Sequence, residues 1–337
     1  MNSVVCFGEI MLRLTAPEGE VLLQSPRLNV FYAGSEASIA VSLARFGRPA
    51  RWVSALPDTR PGRAAAEELR RYGVDIDHVA YTPGRMGLIF ATPGAVLRPS
   101  EVLYDRAGSA FALAGPEAID WDRALEGAGW LHVSGISPAV GPASEAAALA
   151  AVRQARARGV RVSFDGNFRP SLWAARDVEP GPIERALMEH ATLAFVEDRD
   201  IGRVLGRTFE SSDPETRREA ASAAAFEAFP QLRYIAHTLR ETHSVDDQSL
   251  SATVRTRDGE HHVGPYRLTG VVDRIGGGDA FAAGVLHVLA DDGDPAEAAA
   301  FGLAATALKH GIRGDLNLSG EADVRALMAG GGLDVKR

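Results

Sequence analysis

Cysteine and lysine are almost absent from this chain of 337 residues, and each shortage excludes a kind of site. The one cysteine, Cys6, stands in an apolar run, so neither a disulfide framework nor a cysteine-rich metal site can form. The two lysines, Lys309 and Lys336, do not follow a glycine, so the P-loop sequence Gly-Lys-Ser/Thr is missing. Positive charge is therefore carried mainly by arginine, whose planar fork binds a carboxylate or a phosphate through two hydrogen bonds.

Net positive charge and long apolar runs are missing as well. The formal net charge of −8 gives no support to the binding of nucleic acid or anionic membranes. No run approaches the roughly 18 apolar residues of a transmembrane helix. The first residues also lack the basic head and long apolar run of a secretory signal. We expect a cytoplasmic protein that acts on small molecules, with neither nucleic acid nor membrane as a partner.

Short apolar runs alternate with helical patterns along most of the chain. Strands are predicted at 3–7, 51–55, 76–79, 130–133, 160–164, 193–196 and 234–236, and helices at 36–46, about 59–72, 144–158, 182–190, 214–229, 278–290, 295–310 and 321–328. This alternation predicts an α/β fold with a mainly parallel sheet covered on both faces. We interpret residues 1–337 as a single domain.

Two stretches interrupt the alternation. Short strands at 12–14 and 28–32, and a hairpin of 86–92 with 101–106, predict a small β-sheet beside the main one. We interpret it as a lid, formed by segments at about 11–33 and 85–112. A further hairpin at 250–263 has Asp258-Gly259 as its turn.

The chain is organised around residues 271–284, VVDRIGGGDAFAAG, which read as a short strand, three glycines and a helix. Gly276, Gly277 and Gly278 can turn their N–H groups toward a ligand, and the helix adds free N–H groups and the positive end of its dipole. This predicts a phosphate site in which Asp279 stays ionised and can accept a proton. The alternative is a flexible loop with Asp279 as an ordinary helix start. The second triplet, Gly330 to Gly332, lacks this context, and we interpret it as a flexible tail.

Other nucleotide and hydrolase motifs are absent. The dinucleotide fingerprint needs a glycine where Phe281 stands, and neither HExxH nor GxSxG occurs. Ligands of parallel sheets bind at the carboxyl ends of the strands. Polar residues follow the predicted strands there: Ser134, Asp165, Asn167, Arg169 and Thr238.

Several segments carry a family resemblance. GGGDAFAAG after Val-Asp, and YAGSEASIAVSLARFG from Tyr32, resemble the two signatures of the ribokinase-like (PfkB) sugar kinases. FGEIMLRL, RPSEVLYDRAGSA, FDGNFRPSLW, TLRETHS and KHGIRGDLNL resemble one branch more closely, the 2-keto-3-deoxygluconate kinases. The matches follow the family's order through almost the whole chain.

The resemblance implies a three-layer α/β/α sandwich with a small β lid that often forms a homodimer. It also implies ATP-dependent phosphorylation of a sugar hydroxyl, with Mg²⁺ held largely by phosphate and water and a monovalent-cation requirement left open. By position, Asp279 is the catalytic base and the amides of Gly276, Gly277 and Gly278 form the anion hole. The implied substrate-binding residues are Gly34, Tyr104, Arg106, Asn167 and Arg169, although Asn167 is also interpreted as fixing loop shape. The implied nucleotide-binding residues are Glu197, Thr238 and Arg240, with Gly276 and Gly278.

Four residues depart from the family pattern: Ala33, Ser38, Gly166 and Glu197. Ala33 and Ser38 are expected to line the sugar pocket, and Glu197 either repels phosphate or helps to organise Mg²⁺. Arg106 and Arg169 suit the carboxylate of a keto-acid sugar, although each also suits a solvated salt bridge. We therefore expect a kinase of 2-keto-3-deoxygluconate or a close keto-acid sugar. The alternatives are a kinase of an uncharged sugar or nucleoside, and a sugar- and nucleotide-binding sensor with little turnover.

Overall fold

A computed structural model describes residues 3–331. Thirteen strands occur in that range: β1 (Ser3–Phe7), β2 (Met11–Thr15), β3 (Asn29–Ala33), β4 (Ala50–Pro57), β5 (Val79–Thr82), β6 (Gly87–Thr92), β7 (Glu101–Asp105), β8 (Ala128–Ser134), β9 (Arg161–Asp165), β10 (Leu193–Phe195), β11 (Tyr234–Thr242), β12 (Asp247–Arg255) and β13 (Glu260–Thr269).

Between the strands lie the helices of the same range: α1 (Ser35–Arg45), α2 (Arg60–Arg71), α3 (Ala110–Leu113), α4 (Trp121–Ala124), α5 (Ile136–Val140), α6 (Pro142–Ala157), α7 (Pro170–Ala174), α8 (Pro180–Met188), α9 (Asp198–Leu205), α10 (Pro214–Ala228), α11 (Gly277–Leu289), α12 (Pro295–Lys309) and α13 (Glu321–Met328). No helix among residues 3–331 combines the length and the apolar character that crossing a membrane requires.

The main sheet has nine strands in the order β13-β12-β11-β10-β9-β8-β1-β4-β5. The strands from β11 to β5 are parallel, and β12 and β13 add an antiparallel hairpin at one edge. This confirms the predicted mainly parallel sheet and the hairpin at 250–263.

Helices cover both faces of the main sheet, because successive strand side chains point to opposite sides. On β1, Val4 and Cys6 join a core that contains apolar residues of α1, α2, α11 and α12. Val5 and Phe7 join a second core with apolar residues of α6, α8 and α10. The result is the predicted α/β/α sandwich, with Cys6 buried as expected.

The small sheet has four strands in the order β3-β2-β6-β7, drawn from the two stretches that interrupt the alternation. Its β2–β6 pair is parallel and its outer pairs are antiparallel. Residues paired across neighbouring strands share a face. Arg13, Phe31, Ile89 and Tyr104 therefore form one row, and Leu14, Val30, Phe90 and Leu103 form a row on the opposite face.

Local structure differs from the sequence prediction at three strands and at several helices, since the short helices α3, α4, α5 and α7 were not predicted. The strand predicted at 271 is absent, because the N–H groups of Val272 and Asp273 donate to the carbonyl of His310 (2.9 and 3.3 Å) instead of to a strand. β5 begins at Val79, where the prediction ended. β11 extends to Thr242 because β12 pairs with it throughout, so Thr238 lies inside a strand and not after one. Helix α9 was not predicted.

The second glycine triplet closes a helix. The N–H groups of Gly330 and Gly331 donate to the carbonyls of Leu327 and Ala326, respectively. These two hydrogen bonds cap the last turn of α13. Gly332, the rest of the interpreted tail, lies outside the described residues.

Two glycines allow α11 and α12 to touch. A Cβ on Gly284 would lie 2.7 Å from the Cα of Gly302, and a Cβ on Gly302 would lie 2.8 Å from the ring of Phe281. Side chains at these positions would force the two helices apart.

We expect Gly284→Ala to lower the free energy of unfolding by about 1–3 kcal/mol, the usual cost of overpacking a core. Urea denaturation measures this change. Gly311→Ala is the control, since its Cβ would have only the Leu308 carbonyl oxygen at 3.5 Å. Equal stability of the two variants would contradict the close approach.

Candidate active site

A cavity of about 380 Å³ lies where the carboxyl ends of the main strands meet the small sheet and the start of α11. Its lining from the main sheet and the loops after it comprises Glu9, Gly34, Ser35, Glu36, Ile136, Asp165, Asn167 and Arg169. The small sheet with its flanking residues, and the segment around the glycines with Asp315, supply Met11, Arg13, Ala33, Ile89, Val102, Tyr104, Arg106, Arg274, Ile275, Gly276, Gly278, Asp279 and Asp315.

Most of the predicted site residues meet in this cavity. Those that line it are Gly34, Tyr104, Arg106, Asn167, Arg169, Gly276, Gly278 and Asp279. Gly277 lies behind it, buried against the ring of His310. Arg240 lines a neighbouring cavity of about 950 Å³, and Arg274 lines both cavities.

Glu197 and Thr238 line neither of these two cavities. Glu197 is the N-cap residue of α9, where its N–H donates to Oδ2 of Asp200 at 3.0 Å. Thr238 pairs with Ala252 inside the sheet. Their nucleotide-binding roles stay predictions.

The departures from the family pattern occupy different environments. Ala33 lines the cavity as expected, but the expectation for Ser38 is wrong. Ser38 is buried on α1, and its hydroxyl has no partner within residues 3–331.

The glycine turn, residues 276–278, leaves free donors at the start of α11. Gly276 has φ of 83°, a left-handed conformation that favours glycine, and a Cβ there would lie 2.0 Å from the Asp315 carbonyl oxygen. The N–H groups of Gly276, Gly278 and Asp279 have no protein acceptor within residues 3–331, whereas that of Gly277 donates to Arg274 at 3.4 Å. Such unpaired donors suit an oxyanion or a phosphate.

The last turn of α12 supports the glycine turn from behind. The hydroxyl of Thr306 donates to the carbonyl of Gly277, and the ring of His310 packs against Gly277. The carbonyl of His310 accepts the N–H groups of Val272 and Asp273. This support was not foreseen, because it depends on contacts between distant segments.

Two polar residues orient Asp279. The hydroxyl of Ser35 donates to Oδ1 of Asp279 at 2.6 Å, and Nδ2 of Asn167 donates to the Ser35 oxygen at 3.1 Å. Asn167 itself is held with φ of 41°, and its N–H donates to Asp165 Oδ1 at 3.0 Å. Asn167 therefore positions the predicted base through Ser35, which sequence reasoning missed.

Burial separates the proton affinities of two neighbouring carboxyls. Burial raises the pKa of Asp279 to about 6, opposed by the Ser35 hydrogen bond and by the charges of Arg169 and Lys309. Burial, reinforced by the charge of Asp279, raises the pKa of Asp165 to about 8. At neutral pH Asp279 is mostly ionised and Asp165 mostly protonated, so Asp279 is the carboxyl that can accept a proton.

Arg106 is a buried ion-paired residue, so the alternative of a solvated salt bridge does not describe it. Its Nε lies 2.8 Å from Oε2 of Glu9, and Nη2 contacts the same oxygen. The other oxygen of Glu9, Oε1, is buried and has no partner within residues 3–331. Arg106 therefore enters the cavity with much of its charge already balanced.

Arg169 is differently placed. Its Nη1 donates to the carbonyl of Phe168 at 3.2 Å, and no carboxylate of residues 3–331 forms an ion pair with it. Arg169 and Arg274 are the cations of this cavity that form no ion pair within residues 3–331, so both are suited to an anionic ligand.

Arg13 connects the small sheet to the segments flanking the glycine turn. Its guanidinium donates to Asp315 at 2.7 Å and to Asp273 at 2.9 Å, and all three side chains are almost fully buried. Sequence reasoning missed Arg13, Glu9 and Asp315. A charged residue inside the apolar strand 11–15, and a carboxylate just after the strand 3–7, were the available signals.

Comparison with known proteins agrees with this arrangement. The sequence model of the pfkB family of carbohydrate kinases matches residues 1–317. The chain is 32% identical to a 2-dehydro-3-deoxygalactonokinase of Haloferax volcanii over 336 residues, 99% of each protein. It is 28% identical to a 2-dehydro-3-deoxygluconokinase of Thermoproteus tenax, over 94% of this chain and 90% of the relative.

A solved structure resembles the whole fold. The crystal structure of a 2-dehydro-3-deoxygluconokinase of Thermotoga maritima superposes with a TM-score of 0.91 at 34% identity. The match covers 98% of this chain and 100% of that one.

The fold and these matches together define an enzyme that transfers a phosphoryl group to a hydroxyl. The chain belongs to the pfkB family of carbohydrate kinases. Within it, the chain resembles the 2-dehydro-3-deoxygluconokinases, named above 2-keto-3-deoxygluconate kinases. The predicted family and fold class are confirmed.

The pKa of Asp279 predicts the acid limb of activity. A carboxyl with a pKa of about 6 loses its capacity to accept a proton as the pH falls below that value. We expect kcat/KM for the sugar to be half-maximal near pH 6 and to fall about tenfold per unit below it. Asp279→Asn should lower kcat about 10²–10⁴-fold.

Asp165→Asn is the matched control, because an amide resembles the protonated Asp165 expected at neutral pH and keeps the oxygen that accepts from Asn167. It should retain most of the activity and the same acid limb. Near-normal turnover of Asp279→Asn would show that another group is the base.

Proposed function

We propose that this protein uses Mg·ATP to phosphorylate the primary hydroxyl of 2-keto-3-deoxygluconate or a close keto-acid sugar. One observation carries the proposal: the ionised Asp279 and the unpaired Arg169 line the same cavity, beside free N–H groups of the glycine turn. A substrate with a hydroxyl at one end and a carboxylate at the other would match these groups.

The transfer step needs a base, positioning and positive charge. Asp279 takes the proton of the substrate hydroxyl, whose oxygen attacks the γ-phosphorus of ATP. The bond from the γ-phosphorus to the bridging oxygen breaks, and ADP leaves with that oxygen. The N–H groups of Gly276, Gly278 and Asp279 hold the charge on the transferred group. Mg²⁺ bound to the phosphates supplies further charge neutralisation.

Two arginines suit the triphosphate. Arg240 and Arg274 line the second cavity, of about 950 Å³, which lies beside the glycine turn. Neither arginine forms an ion pair with a carboxylate of residues 3–331. Partial burial and the neighbouring charge of Arg274 lower the pKa of Arg240 to about 10, so both stay cationic at neutral pH. Two adjacent cations without a protein anion are suited to a ligand with several negative charges.

Arg169 and Arg106 would divide the recognition of the sugar. Arg169 would bind the carboxylate, because its charge is unpaired. Arg106 is already bonded to Glu9, so this pair is better suited to hydroxyl groups: the guanidinium donates, and the free Oε1 of Glu9 accepts.

The same pairing favours a second candidate, a kinase of an uncharged sugar or nucleoside. If Glu9 cancels the charge of Arg106 and Arg274 binds the triphosphate, Arg169 is the one unpaired arginine of this cavity left for a carboxylate. The relatives add a finer choice, since one is named for the galactonate epimer and others for the gluconate epimer.

ADP release with Mg·ATP and a panel of sugars tests the substrate class. We expect turnover with 2-keto-3-deoxygluconate or its galactonate epimer, and little with gluconate, fructose or ribose. Arg169→Ala should raise KM for the keto acid about 10–100-fold, the usual effect of losing a charged hydrogen bond. Arg240→Ala should instead raise KM for ATP.

Arg233→Ala is the control, because Arg233 is exposed beside the opposite, amino-terminal end of β11. It should change neither KM. Turnover on fructose or ribose that is unaffected by Arg169→Ala would select the uncharged-sugar kinase. ATP binding without turnover on any of the five compounds would argue for an untested substrate or a sensor.

We also propose a homodimer through the outer face of the small sheet. Val30 and Leu103, at the ends of the outer row, are 59% and 55% exposed, and Leu14 and Phe90 lie half-buried between them. The opposite face contributes Arg13, Ile89 and Tyr104 to the cavity. A continuous apolar row away from the site suits a second copy of the chain.

Light scattering coupled to size exclusion tests the dimer. We expect twice the mass of 35.8 kDa for the wild type. Val30→Asp with Leu103→Asp should yield the monomer, because two charges would be buried in the interface. Leu113→Asp, at an exposed leucine outside the sheet, should remain dimeric. A monomeric wild type would refute the interface.

A further inference from the structure

Lys309 is a fully buried lysine that the proposed chemistry does not use. It is the last residue of α12 and the only lysine among residues 3–331, and its exposed fraction is 0%. Its ammonium has three N–H donors but, within the described part of the chain, a single hydrogen bond, to the carbonyl of Ile312 at 3.0 Å. Burying such a charge is costly unless other groups compensate for it.

The side chain of Lys309 lies directly behind the glycine turn. A Cβ on Gly276 would lie 3.1 Å from Cε of Lys309, so the end of the lysine stem packs against the turn. The neighbouring Thr306 and His310 also contact the turn, through Gly277. The last turn of α12 therefore presents a hydroxyl, an imidazole and an ammonium to the same loop.

Lys309 forms no close ion pair within residues 3–331. Within residues 3–331 no carboxylate lies within 4.0 Å of its nitrogen, and Arg13 takes the short hydrogen bonds of Asp273 and Asp315. The ammonium still acts on Asp273, Asp315 and Asp279 at longer range. Asp273 and Asp315 interact with two cations, Arg13 and Lys309, whereas Asp279 interacts with Lys309 and Arg169.

We infer that Lys309 is a positioning residue of the kinase reaction: its ammonium is the built-in positive charge behind the glycine turn, which makes an external monovalent cation unnecessary there. The inference rests on the phosphoryl transfer proposed above. It also answers the monovalent-cation question that the sequence left open.

The electrostatics favour this role over simple packing. A helix carries partial negative charge at its C-terminus, and α12 ends against the loop that would receive phosphate. Without Lys309, Arg13 would be left to balance that helix end with Asp273 and Asp315, and Arg169 would be left to balance Asp279. A charge in a poorly hydrated interior acts over several ångströms with little screening. Packing alone would need a long apolar side chain such as methionine.

The charge also bears on the base. The groups that act on Asp279 are Ser35 and Glu36 from α1, Arg169 and Asp165 from the segment around the end of β9, and Asp315 and Lys309 from the segments behind the turn. Lys309 and Arg169 favour the ionised carboxylate, and Asp315 opposes it. Removal of the ammonium should therefore move the acid limb of kcat toward higher pH.

Lys309→Met and Lys309→Arg test the inference by ADP release in buffers whose monovalent cation is sodium, potassium, ammonium or tetramethylammonium. We expect wild-type kcat to be the same in all four. Lys309→Met should lose about 10²-fold in kcat, as for removal of an oxyanion-hole donor. Ammonium or potassium should restore at least about tenfold, and tetramethylammonium should not, because it is too large for the space left. Lys309→Arg should keep more activity than Lys309→Met.

Thr306→Val is the matched control, since it removes a support of the same turn without changing charge. Its loss of activity should not respond to ammonium or potassium. Lys309 would be a packing residue if Lys309→Met kept a kcat within about threefold of wild type. The same would follow if no cation restored the lost kcat of Lys309→Met and Lys309→Arg were equally inactive. A wild-type enzyme that requires potassium for activity would also contradict the inference. This measurement uses the wild type alone, so it does not depend on the folding of a variant.

Calorimetric binding of Mg·ATP separates this inference from the proposed substrate. If the wild type turns over none of the sugars but binds Mg·ATP, the substrate proposal fails alone. The inference then requires Lys309→Met to bind Mg·ATP about tenfold more weakly and ammonium to restore it. Equal affinity of wild type and Lys309→Met would overturn it.

Discussion

The site depends on one constraint, the attachment of the glycine turn to the last turn of α12. After β13 the chain forms no further strand before α11, and the carbonyl of His310 accepts hydrogen bonds from the N–H groups of Val272 and Asp273. Thr306 then fixes Gly277, and the Asp315 carbonyl oxygen leaves room only for glycine at 276. With both sides of the turn held, its remaining N–H groups point to the cavity as unpaired donors. The packing of α11 on α12 through Gly284 and Gly302 keeps this geometry rigid.

The carboxyls of the site differ in protonation and in pairing. Asp279 is mostly ionised because Ser35 and two cations offset its burial. Asp165 has the charge of Arg169 and a hydrogen bond from Asn167, but the negative charges around it, that of Asp279 above all, add to the effect of burial, and it holds its proton. Glu9 is fixed by Arg106, and Asp273 and Asp315 are fixed by Arg13. The base therefore stands out among neighbours that are protonated or paired. This arrangement follows from partners contributed by both sheets, since neither sheet holds all of them.

The sequence predicted what depends on local periodicity and short motifs. The alternation of strands and helices predicted the parallel sheet, and two interruptions of it predicted the small sheet. The glycines with Asp279 predicted the head of α11. Pairing over long distances was beyond such patterns: Arg106 and Glu9 are 97 residues apart, and Arg13 and Asp315 are 302 apart. Ser38 lies at the right spacing for the pocket, but the turn of α1 places it in the core. Apolar residues at 271–272 suggested a strand, yet their N–H groups bond to a helix end.

The ion pairs of Arg13 have a mechanical consequence. Arg13 belongs to the small sheet, whereas Asp273 and Asp315 belong to the segments that flank and support the glycine turn. An outward swing of the small sheet must therefore separate a buried guanidinium from two carboxylates, and the freed carboxylates would repel the phosphates next to the turn. The same movement would therefore open the sugar cavity and weaken the binding of the nucleotide. With the small sheet open and water in place of the sugar, the enzyme would therefore be poorly arranged to hydrolyse ATP.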